Sequence, residues 1–293
     1  MGRAKGSWYE REEVKRITMD WVKTNCKFTS REVELLQLIH DRKLVRRDHL
    51  EIISPSYRLI KDSNVRRASI CRAIKKMYKK MCLDKTHEAQ EIGKGNTPSI
   101  VALDKGGSIY LNVPHKRRIS HKKSIVNGKE YISRSLPANF RHINGVNQLE
   151  VDTILLSEKI EAEILEWTHE KPQEFHYGQE KVVVIPDVGM KLKFNTEHSK
   201  PLYAFIEYDT GSENMRYKSS FPTILEKVVK YRKLKSSKVW EKDYDYFPIV
   251  LLVTEDDKRI TYFNDKCREN GLRGFGVYHE NYSSFIKHLG NLL

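Results

Sequence analysis

The sequence predicts an α+β fold in two parts: a basic, mainly helical N-terminal domain, then an α/β domain with a mixed central sheet. Three observations carry that expectation. The net charge of +14 is unevenly placed, since residues 1–140 hold 31 Lys or Arg against 15 Asp or Glu, and residues 141–293 hold 22 against 24. The first half reads as three short helices and a strand; the second alternates apolar strands with amphipathic helices. A cationic excess confined to one half marks a module built for a polyanion, followed by a module with another task.

At 39% hydrophobic and 31% charged residues the chain is globular rather than disordered. No apolar run approaches the ~18 residues of a membrane span. No apolar segment follows Met1-Gly2-Arg3-Ala4-Lys5, so no signal peptide is expected. Cys26, Cys71, Cys82 and Cys267 lack CxxC spacing and read as reduced thiols of a cytosolic protein, without zinc.

Residues 1–28, with Trp8, Tyr9 and Trp21 among mixed charges, read as an arm. Thr29-Ser30 is an N-cap for a helix over Arg31–Ile39. A second short helix covers about Arg47 to Ile53 and stops at Ser54-Pro55-Ser56. Asp62-Ser63-Asn64 caps a third from about Val65 to Met81, with Ile70, Ile74, Met77 and Met81 at helical spacing. Arg66, Arg67, Arg72, Lys75, Lys76, Lys79 and Lys80 cover the rest of its surface. Leu83-Asp84-Lys85, a polar stretch with Gly93 and Gly95, and the strand Ser99–Leu103 follow as a glycine-tipped hairpin, and Gly106-Gly107 closes that segment.

That order over residues 29–111 is the order of a winged helix-turn-helix domain. A helix fits the major groove, where cationic side chains reach base edges and phosphates, and a wing lies along neighbouring phosphates. Arg66, Arg67, Arg72, Lys75, Lys76 and Lys79 are therefore the expected DNA-binding residues, with double-stranded DNA as the partner. A homodimer would suit a palindromic site. A solvated basic face would explain the charge run alone, without the hairpin. Residues 112–140, with His115-Lys116-Arg117-Arg118 and His121-Lys122-Lys123, read as a basic linker that either follows a DNA backbone or is an exposed connector.

The remaining residues, 141–293, begin with a helix expected from Asn147 to about Trp167, its buried stripe formed by Val151, Ile154, Leu155, Ala162 and Leu165. Strands are expected at 181–185, 188–194 and 202–208. A helix opens at Pro222 and runs to Lys235. A strand over Pro248–Val253, a helix at 256–270, a strand over Gly274–Tyr278 and a last helix carrying Phe285, Ile286, Leu289 and Leu292 complete the chain.

Carboxylates cluster at the strand ends. Pro186-Asp187 joins one apolar strand to the next, and Glu207-Tyr208-Asp209 ends the strand after it. Helix–strand–strand–strand–helix–strand with these residues resembles the restriction-endonuclease-like, or PD-(D/E)xK, nuclease fold. The resemblance implies Asp187 and Glu207 as ligands of Mg²⁺ or Mn²⁺, with Glu150 or Asp152 of the preceding helix completing the pocket. A metal held there activates water and stabilises charge on the scissile phosphate. The departure is Asp209, which stands where the family pattern has Lys. Some members supply the cation from the next helix, where Lys227 and Tyr231 lie four apart on one face. Lys227 or Lys230 is the candidate migrated lysine, with Lys191 and Lys193 as weaker ones. Asp187, Glu207, Asp209, Lys227 and Tyr231 form the expected catalytic set. The plainer reading makes Asp187 and Asp209 turn residues flanking buried strands.

The chain also resembles the replication-relaxation proteins of plasmids and other mobile elements of Gram-positive bacteria, over about residues 30–235. The likeness rests on the winged-helix order, Arg141-His142-Ile143-Asn144-Gly145-Val146-Asn147, Pro186-Asp187, Glu207-Tyr208-Asp209-Thr210-Gly211 and Lys227 to Tyr231. It implies a bacterial, cytoplasmic role in replication or DNA relaxation of a mobile element, with Asp209 and Lys227 as family features.

Other chemistries lack their residues. A tyrosine relaxase needs paired His-x-His, which is absent, and Gly93-Lys94-Gly95 lacks the ending of a phosphate-binding Walker loop. His115 to Arg118 matches the His-x-x-Arg of tyrosine recombinases but sits in the linker. His169, His176 and His198 show no ligand spacing and are expected at the surface. Two functions remain: a metal-dependent DNA nickase or endonuclease, and a non-catalytic replication initiator or transcriptional regulator using the same fold for DNA binding or assembly.

Overall fold

Capping side chains set where several of the helices begin. In the computed structural model, which describes residues 14, 16–88, 97–126, 129–195, 200–211 and 223–290, Thr18 caps α1 (Met19–Asn25). Thr29 and Glu32 form a reciprocal capping box at the start of α2 (Ser30–Arg42). Trp8, Tyr9, Gly93, Lys94, Gly95, His198, Pro222 and Leu292, which carried expectations, lie outside the described residues.

The chain divides into two units, Met1–Asn147 and Gln148–Leu293. In the first, α2 leads through β1 (Leu44–Arg46) to α3 (Arg47–Ile53) and the single turn α4 (Pro55–Arg58). Asp62 then accepts the Asn64 and Val65 amides and starts the basic helix α5 (Ser63–Lys79). The strands β2 (Leu83–Thr86) and β3 (Ile100–Leu103) pair antiparallel, and β1 pairs with the other edge of β3, giving a three-stranded sheet. Leu35, Leu36, Ile39, Leu50, Ile70, Ile74, Met77 and Leu83 bury one face of this assembly. Leu44, Ile100, Ala102, Ile119, Phe140 and Ile143 bury the other.

The expected hairpin is present as β2 paired with β3. Gly106 and Gly107, which close that segment, lie in α6 (Lys105–Leu111), pressed on the chain that leaves α5. A Cβ on Gly107 would stand 2.3 Å from the Cys82 carbonyl oxygen, so close approach of backbone, not a turn, requires glycine there. The stretch 112–140 is more than a connector, since β4 (Ser120–Val126) and β5 (Lys129–Ser135) pair as an antiparallel ribbon.

Helix α7 (Phe140–Lys159) starts earlier and stops sooner than the apolar spacing implies. The chain breaks at Glu161, with φ of 53°, and enters a strand that the spacing merges into the helix, β6 (Glu163–His169). Leu155 and Leu165, expected inside, are each 46% exposed.

A hairpin of β7 (Gln173–Tyr177) and β8 (Glu180–Val184) follows, and β8 pairs with β7 rather than joining the main sheet. The main sheet instead takes β6, β9 (Val188–Lys193) and β10 (Leu202–Asp209) as antiparallel neighbours. It continues in parallel through β11 (Ile249–Thr254) and β12 (Gly274–Tyr278). The order is β12-β11-β10-β9-β6, a mixed sheet as expected.

Helices α8 (Ile224–Ser237) and α9 (Asp257–Glu269) supply Val228, Tyr231, Leu234, Phe263 and Cys267 to a core shared with Tyr203, Phe205, Val250 and Leu252. On the last helix, α10 (Tyr282–Gly290), the hydroxyl of Tyr282 lies 2.9 Å from Thr153 of α7 and 3.8 Å from Met190 Sδ of β9. All six residues of β11 are buried, consistent with its unbroken apolar run. Among the described residues no helix is long and apolar enough to cross a membrane. The four cysteines are unpaired, though Cys26 and Cys82 stand 3.5 Å apart in the first core.

Candidate functional site

Side chains alternate along β10, so Phe205, Glu207 and Asp209 share the face covered by α8 and α9. That face is apolar up to Phe205 and then turns acidic. Glu207 is buried, at 4% exposure, and its carboxylate is held from two points on α8. The Tyr231 hydroxyl donates to Oε1 at 2.5 Å, and Lys227 Nζ lies 3.0 Å from Oε2. The capping box of Thr223 and Glu226 fixes the start of α8, and the four-residue spacing puts both groups over one carboxylate. Tyr231 is itself clamped by stacking on Phe205, ring centroids 5.7 Å apart.

Burial pushes the Glu207 carboxyl up, to about 7; Lys227 and the Tyr231 hydroxyl oppose that rise, and the charge of Asp187 adds to it. The Tyr231 hydroxyl is driven well above its ordinary value by burial and by the carboxylate it contacts. Asp187, half-buried at the entry to β9, accepts the Tyr208 amide at 2.8 Å, which ties it to β10 one residue past Glu207. The structure thus brings Asp187, Glu207, Lys227 and Tyr231 together.

The other expected residues are placed elsewhere. Asp209 is bound by Arg259 of α9, whose Nη1 is 2.7 Å from Oδ2, and Gly211 N–H donates to Oδ1 at 2.9 Å. Of the two candidates on α7, Glu150 is buried 3.3 Å from His169 Nε2, whereas Asp152 lies 3.2 Å from His279 Nε2. His169 pairs in register with Val188, directly after Asp187. Lys191 is engaged by Glu166 at 2.9 Å and Lys193 is exposed; Lys230 is half-buried on α8. Among the described residues no group of three or more Asp, Glu, His or Cys is gathered to hold a metal ion, so Glu150 does not close a three-ligand cluster with Asp187 and Glu207.

Sequence reasoning missed Arg259, His169 and His279. Expected at the surface, His169 is largely enclosed, with 13% side-chain exposure beside Glu150. The short-range signal was absent, because Arg259 is fifty residues from Asp209 and His279 is 127 from Asp152.

In the first unit, α5 presents Arg67, Arg72, Lys75, Lys76 and Lys79 to solvent, with Arg66 partly buried. Arg72, Lys75 and Lys79 share one helical face. Lys76 is drawn back onto α2, 2.8 Å from Glu32 and 5.4 Å over the Phe28 ring, and Arg67 lies 3.9 Å from Glu51.

A family model described as replication-relaxation matches residues 36–250. No curated protein matches the chain. Among solved structures, the crystal structure of protein VC1899 from Vibrio cholerae aligns with 15% identity and a TM-score of 0.33, which is too low to carry an argument. That alignment covers 94% of this chain and 61% of the other, so the chain spans about three-fifths of that protein.

Proposed function

The chain belongs to the replication-relaxation family, and on that premise we propose that it acts on the DNA of a plasmid or mobile element, nicking or cleaving it by metal-dependent hydrolysis. The first unit would be the winged helix that holds duplex DNA through α5, and the second a PD-(D/E)xK-like domain that acts on it. The observation that carries this reading is Glu207, buried at the end of a central strand with Lys227 and Tyr231 on it and Asp187 beside it.

A carboxylate does not favour burial beside a second one. The arrangement suits a cation, and the donors are hard oxygens. Mg²⁺ binds through one or two carboxylates and keeps several waters, so Asp187 and Glu207 suffice without a protein-only cage. A metal held there would supply Lewis-acid activation of water and charge neutralisation at the phosphate. Tyr231 fixes the Glu207 rotamer by its hydrogen bond and its stacking on Phe205. Lys227, 17% exposed and on the adjoining turn of α8, is the cation available to a phosphate oxygen or an attacking water, the task usually given to the lysine that Asp209 replaces. Asp209, bound to Arg259, anchors the end of β10 and so positions Glu207; it is not assigned a ligand role.

One observation favours the non-catalytic reading: both oxygens of Glu207 already have partners in the chain. Calorimetric titration with Mn²⁺ separates the two. The nuclease reading expects a binding event in wild type that is lost in both Asp187→Ala and Glu207→Gln. A wild-type protein that takes up no Mn²⁺ would leave an initiator or regulator using the same fold for DNA binding or assembly.

A further inference from the structure

Positive charge in the first unit does not stop at α5. From Lys116 to Ser135 the chain carries seven Lys or Arg and one carboxylate, Glu130, and most of this lies on the β4–β5 ribbon. The base of the ribbon is fastened firmly. His121 and Arg134 are cross-strand partners, and both reach the buried Asp84 of β2, at 2.6 and 3.6 Å. Arg134 also donates to the Tyr78 hydroxyl of α5 at 3.0 Å.

Beyond that base the described side chains of the ribbon face solvent. Lys122 and Lys123 are exposed, as are Ile125 at 78% and Ile132 at 48%. By strand alternation Lys123, Ile125 and Ile132 share the face on which His121 and Arg134 reach Asp84. A two-stranded hairpin is marginal in water, and leaving two isoleucines in solvent adds nothing to its stability.

A further cation lies close to that base. Lys85, 1% exposed beside Asp84, places its ammonium 4.6 Å over the Tyr78 ring. Burial pushes that ammonium down, and the neighbouring Arg134 and Lys75 push it further. Arg134 of the ribbon, bonded to Tyr78 of α5, ties the ribbon to the helix that exposes Arg72, Lys75 and Lys79, and the exposed Lys122 and Lys123 add to the cationic side chains of this unit. Cationic side chains gathered in this way attract a polyanion.

We propose that the β4–β5 ribbon is a second DNA-gripping element. It would lie along the same duplex as α5, with Ile125 and Ile132 against the groove, Lys123 beside them on a phosphate, and Lys122, on the other face, reaching a flanking phosphate. A two-stranded ribbon fits the major groove of B-DNA, and apolar side chains serve against sugars and base steps in the minor groove. The inference rests on the reading that the first unit binds DNA.

The test uses the full chain with a fluorescent duplex of generic sequence and, separately, one of its single strands, with affinity measured by anisotropy over a series of KCl concentrations. It compares wild type, the ribbon variant Lys122→Ala/Lys123→Ala and the helix variant Arg72→Ala/Lys75→Ala, with circular dichroism to verify folding. Each lysine taken off a phosphate lowers the salt slope by about 0.9, so the ribbon variant should bind roughly 8- to 60-fold more weakly at about 0.1 M salt. Wild-type affinity and slope in the ribbon variant, with weakened binding in the helix variant, would overturn the inference and leave DNA binding by the first unit standing. No duplex binding by wild type would overturn both. A weakening confined to single-stranded DNA would overturn the duplex assignment.

Discussion

Arg259→Met should loosen the end of β10 far more than a typical surface change. In the folded chain Arg259 is 7% exposed and the Asp209 side chain fully enclosed, 2.7 Å apart, and Arg259 Nη2 also donates to the Gly211 carbonyl at 2.9 Å. Removing the guanidinium strands a buried carboxylate, a change that costs about 3–5 kcal/mol. The Gly211 amide and Thr254 hydroxyl remain on Asp209 at 2.9 and 3.5 Å, so the lower end, about 3 kcal/mol, is expected. Because the chain has two units, a single unfolding transition is the wrong readout. Native-state hydrogen exchange of the β10 and β11 amides reports the segment directly, and about 3 kcal/mol corresponds to roughly 100-fold less protection. The double variant Arg259→Met/Asp209→Leu should recover much of that loss, since neither charge is then left alone. Protection within threefold of wild type in Arg259→Met would refute the assignment of Asp209 to Arg259 and return it to the candidate catalytic set.

Tyr231→Phe removes one donor from Glu207 and should destabilise by about 2 kcal/mol, with any metal-dependent activity reduced rather than abolished; a fully stable, fully active variant would contradict the clamp. Lys85→Met should stabilise the first unit. The ammonium is pushed down to about 8 from an ordinary 10.5, so the fold disfavours its charged form. Stability is therefore present above about pH 10.5 and lost as pH falls through about 8, and the variant should gain at most about 3 kcal/mol near pH 7 and nothing above about pH 10.5. Equal advantage at both pH values, measured by native-state hydrogen exchange of the α5 amides, would count against it. Gly107→Ala should cost about 1–3 kcal/mol, because its Cβ meets a backbone carbonyl that cannot yield; unchanged exchange protection of the α5 and α6 amides would contradict that packing.

What was legible in the sequence was what local chemistry specifies. Thr29-Ser30, and Asp62-Ser63-Asn64, marked helix starts that the structure keeps to within a residue or two. The unbroken apolar run of β11 marked a strand, which the structure buries, and the four-residue step put Lys227 and Tyr231 on one helix face, which the structure turns onto Glu207. The failures share a cause. Ile160, Ala162 and Leu165 continue the helical period of α7, so the break at Glu161 and the strand β6 left no signal in spacing. The β4–β5 ribbon is rich in Lys and Ser and buries little, so it lacks the apolar alternation that identifies a strand. The partners of Asp209, Glu150 and Asp152 are fixed by tertiary contacts that no local pattern encodes.

Nicking of supercoiled plasmid is the most direct test of the central claim, run with Mg²⁺ or Mn²⁺ on generic DNA and on DNA carrying the element's own origin. Wild type should nick only with metal, and both Asp187→Ala and Glu207→Ala should lose that activity while keeping their fold. No nicking by folded wild type on either DNA would contradict the nuclease reading, and nicking that survives both substitutions would place the chemistry at a different site.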